Sequence, residues 1–447
     1  MQNIPFQFNH GGYIKQETVE RALANSDLEV IDVETDFDYL FPELVKDPDA
    51  LLPADNTPDI IAKLKNLGDA MIDAETPRDP EEDNSNIPPV YTYWGQFIDH
   101  DITANTDRAV EDLQTDITKY DFTPLPPNDI IDKLKNLRRP TFDLDSIYGD
   151  GPTLDPKAPT EAKDFYKEDD PVKLKVGKNA EQDASGTPTP GKKIPPEDDL
   201  MRDLPRNNRI AVIGDSRNDE NLIVAQFHTA FLRFHNAVVD WVRTNEPDNV
   251  KDNQTLFVRV QNLVRWHYQW LVVNDFLKTL TVNGTVDRIL NDGLKFYKLR
   301  NGSFFMPLEF SVAAYRFGHS MVRAAYDYNR NFTDQPGNLT DATFELLFSF
   351  TGRGNIGERG GQGANDTLPF NWIIEWERFV NKDSAAERQR RSARKIDTHL
   401  AFPLSAMINE GEGEQSPIKE LFKHLAKRNL LRGYLLSLKF PRINVLM

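Results

Sequence analysis

The chain contains no cysteine, so disulfides, iron–sulfur clusters, thiolate-bound haem and cysteine zinc sites are all excluded. No apolar run approaches the ~20 residues that a membrane-spanning helix needs. The opening residues, MQNIPFQFNHGGYIKQ, lack a basic region followed by an apolar core, so no ordinary signal peptide is expected. Together these absences lead us to expect a cytoplasmic or non-classically secreted protein. Positive charge is also in deficit, with 53 Lys and Arg against 70 Asp and Glu and a net charge of −17. Such a chain is a poor binder of nucleic acid or of an anionic membrane, and is compatible with cation binding.

What the chain does have is apolar material. Its 447 residues are 39% hydrophobic and 10% aromatic, enough for a large core, and length alone suggests more than one ordinary domain. Residues 1–89 read as an arm with a short helix around Pro58–Ile72, ending in the Asp-, Glu- and Pro-rich loop Thr76–Pro89. The core is expected to start near Val90. Residues 151–206 are dense in Pro, Lys, Asp and Gly and read as a long surface excursion, with a strand expected at Val172–Val176. From Asn221, apolar residues at three- and four-residue spacing (Leu222, Ala225, Phe231, Phe234, Val238, Val242) predict a helix, and a second is expected over Leu256–Leu277. Further helices are expected near Pro307–Val322, Leu368–Phe379 and Pro417–Leu436, and a flexible glycine-rich loop over Gly352–Asn365. Strand signals are few, and no internal repeat is present. The fold class is therefore mainly α, with long loops and little β.

The segment Trp94-Gly95-Gln96-Phe97-Ile98-Asp99-His100-Asp101 carries the chemistry. On a helix, Gln96, Asp99 and His100 share one broad face and Asp101 turns away. A structural helix seldom places such a trio together, because each polar group needs a buried partner. The segment resembles the distal helix of the animal-type haem peroxidases, in the peroxidase–cyclooxygenase superfamily. That resemblance implies a single large helical domain over 90–447, with 1–89 as an extension. It implies haem b as cofactor, hydrogen peroxide as oxidant, and a halide, pseudohalide or small aromatic donor oxidised through a ferryl intermediate. His100 becomes the acid–base residue, and Gln96 a holder of distal water or halide. The extracellular animal relatives use disulfides, so a cysteine-free chain looks like a bacterial-style or intracellular branch.

Three later segments extend the resemblance. Gly214-Asp215-Ser216-Arg217-Asn218-Asp219-Glu220-Asn221 is similar to the family's catalytic-arginine motif. It implies Arg217 as the distal arginine, and Glu220, with Asp99, as carboxylates able to form esters with haem methyls. One branch of the family has a methionine near this point that bonds the haem vinyl. Asn221 is the closest position here, so at most two ester links and no sulfonium bond are expected. His228 and His235 lie seven apart, too far for one ion, and are expected to be packed or hydrogen-bonded core histidines. Arg316-Phe317-Gly318-His319-Ser320-Met321-Val322 resembles the proximal motif, with His319 as iron ligand and Arg316 toward a haem propionate. Arg428-Asn429-Leu430-Leu431-Arg432-Gly433-Tyr434 resembles the segment that orients that ligand, with Asn429 accepting the imidazole N–H and Arg432 close to the haem.

Arg138-Arg139-Pro140-Thr141-Phe142-Asp143-Leu144-Asp145-Ser146-Ile147-Tyr148-Gly149 resembles the family's calcium loop. Alternating oxygen donors suit a hard cation. The implied ligands are Asp101, the Thr141 carbonyl, Asp143 and Asp145. Arg139 stands where a threonine is usual, and its guanidinium cannot ligate calcium although its carbonyl can. Two other readings stay open. A haem fatty-acid dioxygenase would use a catalytic tyrosine; Tyr315 precedes His319 by four residues but has no clear match to it. A C-terminally truncated, non-catalytic haem protein is the other, because Lys439–Met447 does not look like the family's continuation. The sequence does not reveal the physiological donor, the halide preference or the oligomeric state.

Overall fold

The structure, a computed structural model, describes residues 6–7, 13–14, 35–104, 117–152, 162–180, 200–333, 341–352, 367–380 and 391–438, with gaps at 48–49, 77–78, 139, 150, 301–303, 409 and 412–413. Among the described residues the five longest α-helices are α1 (Thr57–Ala70), α2 (Val90–Ile102), α3 (Leu222–Asn245), α4 (Asn253–Leu271) and α5 (Leu425–Leu435). Each arises where apolar spacing predicts it. α3 starts at Asn221, whose side chain accepts from the Val224 N–H, and α4 starts with a capping box between Asp252 and Thr255. α4 runs on through a π-helical turn at Val272–Phe276 into Leu277–Leu280. The stretch Pro417–Leu436 splits at His424, giving Ile418–Lys423 and α5.

The core is organised around the back of α2. Trp94 and Phe97, one turn apart, meet Phe227 and Phe231 of α3 and Tyr268 of α4. The ring centres of Trp94 and Phe227 lie 4.7 Å apart, and those of Phe97 and Phe231 lie 5.1 Å apart in a stack. Such aromatic pairs add about 0.5–1.5 kcal/mol each beyond their area burial. The arm is sewn to the same core. Its strand β1 (Thr35–Asp38) pairs antiparallel with β2 (Lys135–Asn136) and parallel with β3 (Phe305–Pro307). Phe37 is fully buried, and the Tyr39 hydroxyl donates to the Leu436 carbonyl at 3.0 Å. α1 lies against α5 so closely that a Cβ on Gly68 would sit 2.7 Å from Lys427 Cγ.

Three expected elements take other forms. Val172–Val176 is no strand: single bridges join Tyr166 to Leu174 and Gly177 to Asp203. Side chains of α3 occupy the positions a neighbouring strand would fill. Asn236 accepts from Leu174 N–H and donates to its carbonyl, both at 2.8 Å, while His235 Nε2 lies 2.8 Å from the Val172 carbonyl. Leu368–Phe379 is not one helix. Only Phe370–Trp372 and Glu377–Val380 wind, because Phe370 N–H is committed to the Ala180 carbonyl and Ile374 N–H to the Gln226 side chain. The run Trp372-Ile373-Ile374 is apolar because it is buried all round, which periodicity alone does not distinguish from a helix. Pro307–Val322 winds irregularly, as a π-helical turn at Glu309–Ala313 followed by a 3-10 segment at Ala314–Met321. Of the expected glycine-rich loop, residues 353–365 lie outside the described residues, as do 153–161 and 181–199 of the surface excursion.

Asn136 latches the end of α2. It is fully buried, its Oδ1 accepts from Ala104 N–H (2.8 Å) and Arg138 N–H (3.2 Å), and its Nδ2 donates to the Ile102 carbonyl (2.9 Å). Asn136→Ala leaves these backbone groups without partners, and is expected to cost roughly 3 kcal/mol. The check is a lowered urea midpoint at unchanged slope; an unmoved midpoint would refute the latch.

Candidate active site

With its aromatic stripe turned to α3 and α4, α2 presents its opposite face to a cavity partly open to solvent. Tyr91, Thr92, Gly95, Gln96 and Asp99 form one wall, at the spacing a single helix face requires. The segment Ala314–Met321 supplies Tyr315, Arg316 and His319, and the start of α3 supplies Glu220 and Asn221. Apolar side chains including Val322, Phe344, Phe348, Leu404 and Leu425 line the remainder.

The distal polar groups form one network. The Gln96 amide donates to Glu220 Oε1 in a very short contact, and accepts from Asn221 Nδ2 at 2.8 Å. His100 is fully buried beside them. Its Nδ1 lies 2.8 Å from Asn218 Oδ1, and its Nε2 lies 3.9 Å from Glu220 Oε1. Gln96 and Glu220, rather than His100, form the cavity wall at this point. Burial first, and then the Arg217 charge, lower the His100 pKa to about 4, so the ring is neutral at pH 7. Asp99 accepts from the Thr103 hydroxyl at 2.9 Å and faces Arg316, 3.8 Å from its Nη1.

Arg217, expected beside the reacting oxygen, is turned in this structure toward the end of α2 and is not among the residues lining the cavity. Its Nη1 donates to the Thr103 carbonyl (2.8 Å) and its Nη2 to the His100 carbonyl (2.9 Å), while Asp215 holds the same guanidinium at 2.6 Å. The reason is physical: the last carbonyls of a helix lack intrahelical donors and sit at its negative end, so a cation is drawn there. The arginine that does line the cavity is Arg316.

On the opposite wall, His319 Nδ1 lies 3.0 Å from the amide nitrogen of Asn429. Sequence reasoning brought these residues together across 110 positions. The amide is turned the other way from the expectation, presenting Nδ2 rather than Oδ1. An iron-bound imidazole would carry its proton on Nδ1, and a half-turn of the amide then supplies the acceptor. Burial, then Arg316 and Arg428, lower the His319 pKa to about 3, which keeps it neutral as a metal ligand must be. Arg432 is near enough to Arg316 to oppose its charge. An apolar cavity with one neutral histidine, three carboxylates (Asp99, Glu220 and Glu410) and neighbouring guanidiniums therefore suits a flat metal-centred group bearing carboxylates.

Asp101 points away from the cavity, as the helical geometry predicts. It meets Asp143 and Asp145, with ligand oxygens within 4.8 Å of one another. Burial, then Asp145 and Asp143, push its pKa well above the carboxylate range. Phe142 and Leu144 take positive φ (54° and 60°), an unfavourable conformation for such side chains, and flank the two loop carboxylates. Arg138 already pairs with Asp145 at 2.7 Å and with Asp215 at 2.5 Å. The Thr141 carbonyl accepts from Gln269 of α4 at 3.2 Å, so it would have to be shared with a cation. Arg139 lies outside the described residues. Sequence reasoning missed Asp215 and Asn218, although both stand inside the quoted Arg217 motif.

The fold and site together define a helical protein with one cavity between a histidine-bearing helix and a second, asparagine-held histidine. The Animal haem peroxidase family model matches residues 136–360, half of the chain, and the chain belongs to that family. The match takes in Arg217, Glu220 and His319, while α2 and Asn429 lie outside it. The chain is 28% identical to the peroxidasin homolog pxn-2 of Caenorhabditis elegans over 141 residues, 30% of this chain and 10% of that protein. It is 31% identical to a peroxidase-like protein of Margaritifera margaritifera over 139 residues, 28% of this chain and 16% of that protein. The chain thus matches only a small part of the length of these relatives. Among solved structures, peroxidase A of Dictyostelium discoideum is similar at a TM-score of 0.49 and 16% identity, covering 84% of this chain and 67% of that one. A fatty acid alpha-dioxygenase of Oryza sativa gives 0.41 and 14%, covering 90% and 68%.

His228 and His235 are fully buried and hydrogen-bonded, and burial lowers their pKa values to about 3 and about 4. His235 bridges Tyr148 (3.1 Å) and the Val172 carbonyl (2.8 Å). Because the unfolded chain binds protons at these rings first, stability held above pH ~6.5 is lost as pH falls toward 4. Acidification from pH 7 to 5 should lower the Tm. His235→Phe should lower it at pH 7, by roughly 2 kcal/mol of stability, but shrink the further fall on acidification. A fall as steep as in the wild type would refute this.

Proposed function

We propose that this chain is a haem-dependent peroxidase that reduces hydrogen peroxide and oxidises a halide, a pseudohalide or a small aromatic donor. We assign the catalytic unit to 90–447, with 1–89 as an extension. The observation that carries this reading is the pairing across one cavity: the Gln96–Glu220–His100 network on one side and His319 with Asn429 on the other. His319 Nε2 would hold the iron, and Arg316 and Arg432 would meet the carboxylate arms of the haem. Asp99 and Glu220 line the cavity as the two residues able to form ester links. When bound, haem supplies the redox chemistry of peroxide cleavage. The chain supplies proton movement: neutral His100 takes the first proton of peroxide at Nε2 and returns it to the departing oxygen. Since Gln96 and Glu220 stand at the wall, they position the water or peroxide through which His100 acts. Arg217 then serves as a positioning residue, fixing the backbone of His100.

The same reading gives Asp101, Asp143 and Asp145 a calcium ion. Oxygen donors suit it, and its charge would let the buried Asp101 ionise next to His100. A second reading, fatty-acid dioxygenation, draws on Tyr315, whose ring lines the cavity and whose hydroxyl donates to the Gly95 carbonyl at 3.2 Å. Oxygen uptake with linoleate separates it from peroxidation.

His319→Ala is expected to abolish stable haem uptake; a normal ferric spectrum in that variant refutes the ligand. His100→Ala should keep haem but slow its reaction with peroxide by about 10²–10⁴-fold, read by rapid-mixing spectroscopy, and an unchanged rate would sink the assignment. After peroxide turnover, acid denaturation should leave haem on the wild type and release it from the Asp99→Asn/Glu220→Gln double variant. Chelation with EGTA should lower the Tm and added calcium restore it. Asp143→Ala should lose that response, and a chelator-insensitive wild type would exclude the calcium site.

A further inference from the structure

The side-chain amide of Asn218 lies between two fully buried histidine rings. Its Oδ1 is 2.8 Å from His100 Nδ1, and its Nδ2 is 3.0 Å from His228 Nδ1. An amide has an acceptor at one end and donors at the other. It serves both rings only if one Nδ1 carries a proton and the other does not. We propose that Asn218, anchored on His228, is a positioning residue that fixes the tautomer of His100, with the proton on Nδ1 and the lone pair on Nε2. This rests on the reading of His100 as the base for peroxide.

The polarity is the one the two Asn218 contacts show. Asn218 is itself fully buried, in the 3-10 turn Ser216–Asp219, and its backbone N–H donates to the Asp215 carbonyl at 3.0 Å. On the other side of His100, Glu220 Oε1 is 3.9 Å from Nε2, beyond hydrogen-bonding reach, and already receives a donor from Gln96. The Glu220 carboxylate therefore does not hold a proton on Nε2. A base must present its lone pair to the proton it takes, so the wrong tautomer is inert whatever its position. His228, which the peroxidase chemistry does not otherwise use, acquires a role here. Its bare Nδ1 orients the amide that orients the base.

The test is two-bond proton–nitrogen correlation NMR on the full chain with ¹⁵N-labelled histidine. Only eight histidines contribute, and His100→Gln and His228→Gln identify the two signals. The wild type should show His100 protonated on Nδ1 and His228 on Nε2. Asn218→Leu, similar in shape without a polar end, should remove the His100 Nδ1–H signature. The haem-loaded variant should then react with peroxide about 10–100-fold more slowly. Asn218→Asp, which accepts at both ends, should keep His100 as it was, switch His228 to Nδ1–H and restore most of the rate. A wild-type His100 protonated on Nε2, or tautomers unmoved in Asn218→Leu, overturns the proposal. Should Asn218→Leu fail to fold, the wild-type and Asn218→Asp spectra decide it. If the tautomers shift as expected and the peroxide rate does not, Asn218 sets the tautomer as proposed, and His100 is not the base.

Discussion

One buried carboxylate, Asp215, ties the two working regions of this molecule together. Burial alone would raise its pKa, but Arg217 and Arg138 outweigh that and hold it ionised. Arg217 carries the connection to the carbonyls that end α2, and Arg138 carries it to Asp145 in the acidic loop. Buried ion pairs contribute little net stability compared with an apolar replacement, yet losing one partner strands a charge in a low-dielectric interior. The arrangement is better understood as specification of geometry. It fixes where the distal helix ends and which way the acidic loop faces, and so relates His100 to Asp101's cluster with little freedom between them.

α2 shows how one helix serves three environments. Trp94 and Phe97 anchor it to α3 and α4, Gln96 and Asp99 face the cavity, and Asp101 turns to the loop carboxylates. Rotation of α2 would have to break all three at once. The aromatic anchor buries apolar surface, and the polar faces determine which rotation that burial selects. His100 sits between faces, which is why it is wholly enclosed and neutral while its neighbours line the cavity.

Much of this was legible in the sequence, and the rest was not for identifiable reasons. α1, α3 and α4 lie where apolar spacing places helices, and α2 where the resemblance implies one. The meeting of His319 with Asn429, and of Asp101 with Asp143 and Asp145, followed from resemblance to motifs in the right order. The direction of Arg217 was not readable, because it depends on Asp215 two residues earlier and on carbonyls more than a hundred residues away. Asn218 lay in view but looked like a spacer, since a lone asparagine gains meaning only once two histidine rings from other segments stand beside it. The helix expected over Leu368–Phe379 failed because a fully buried extended run and a buried helix share the same apolar signature.

The cavity gathers guanidiniums although the chain as a whole is strongly acidic. A net charge of −17 describes the molecule's far field, which governs association with large partners. Close to His319 basic and acidic groups are mixed, with Arg316 beside Asp99, Glu220 and Glu410 in the cavity lining. Arg316 is enclosed, and the neighbouring Arg432, Arg217 and Arg428 lower its pKa further beyond the effect of burial. Glu410 pairs with Arg428 at 3.0 Å, and Asp99 approaches Arg316 only to 3.8 Å. Asp215 likewise holds Arg217, at 2.6 Å, so carboxylates already stand against three of these guanidiniums. Burial, and then Arg316 and Arg428, keep His319 unprotonated, so on the proposed reading these cations bear both on the metal ligand and on the arms of the group it would hold.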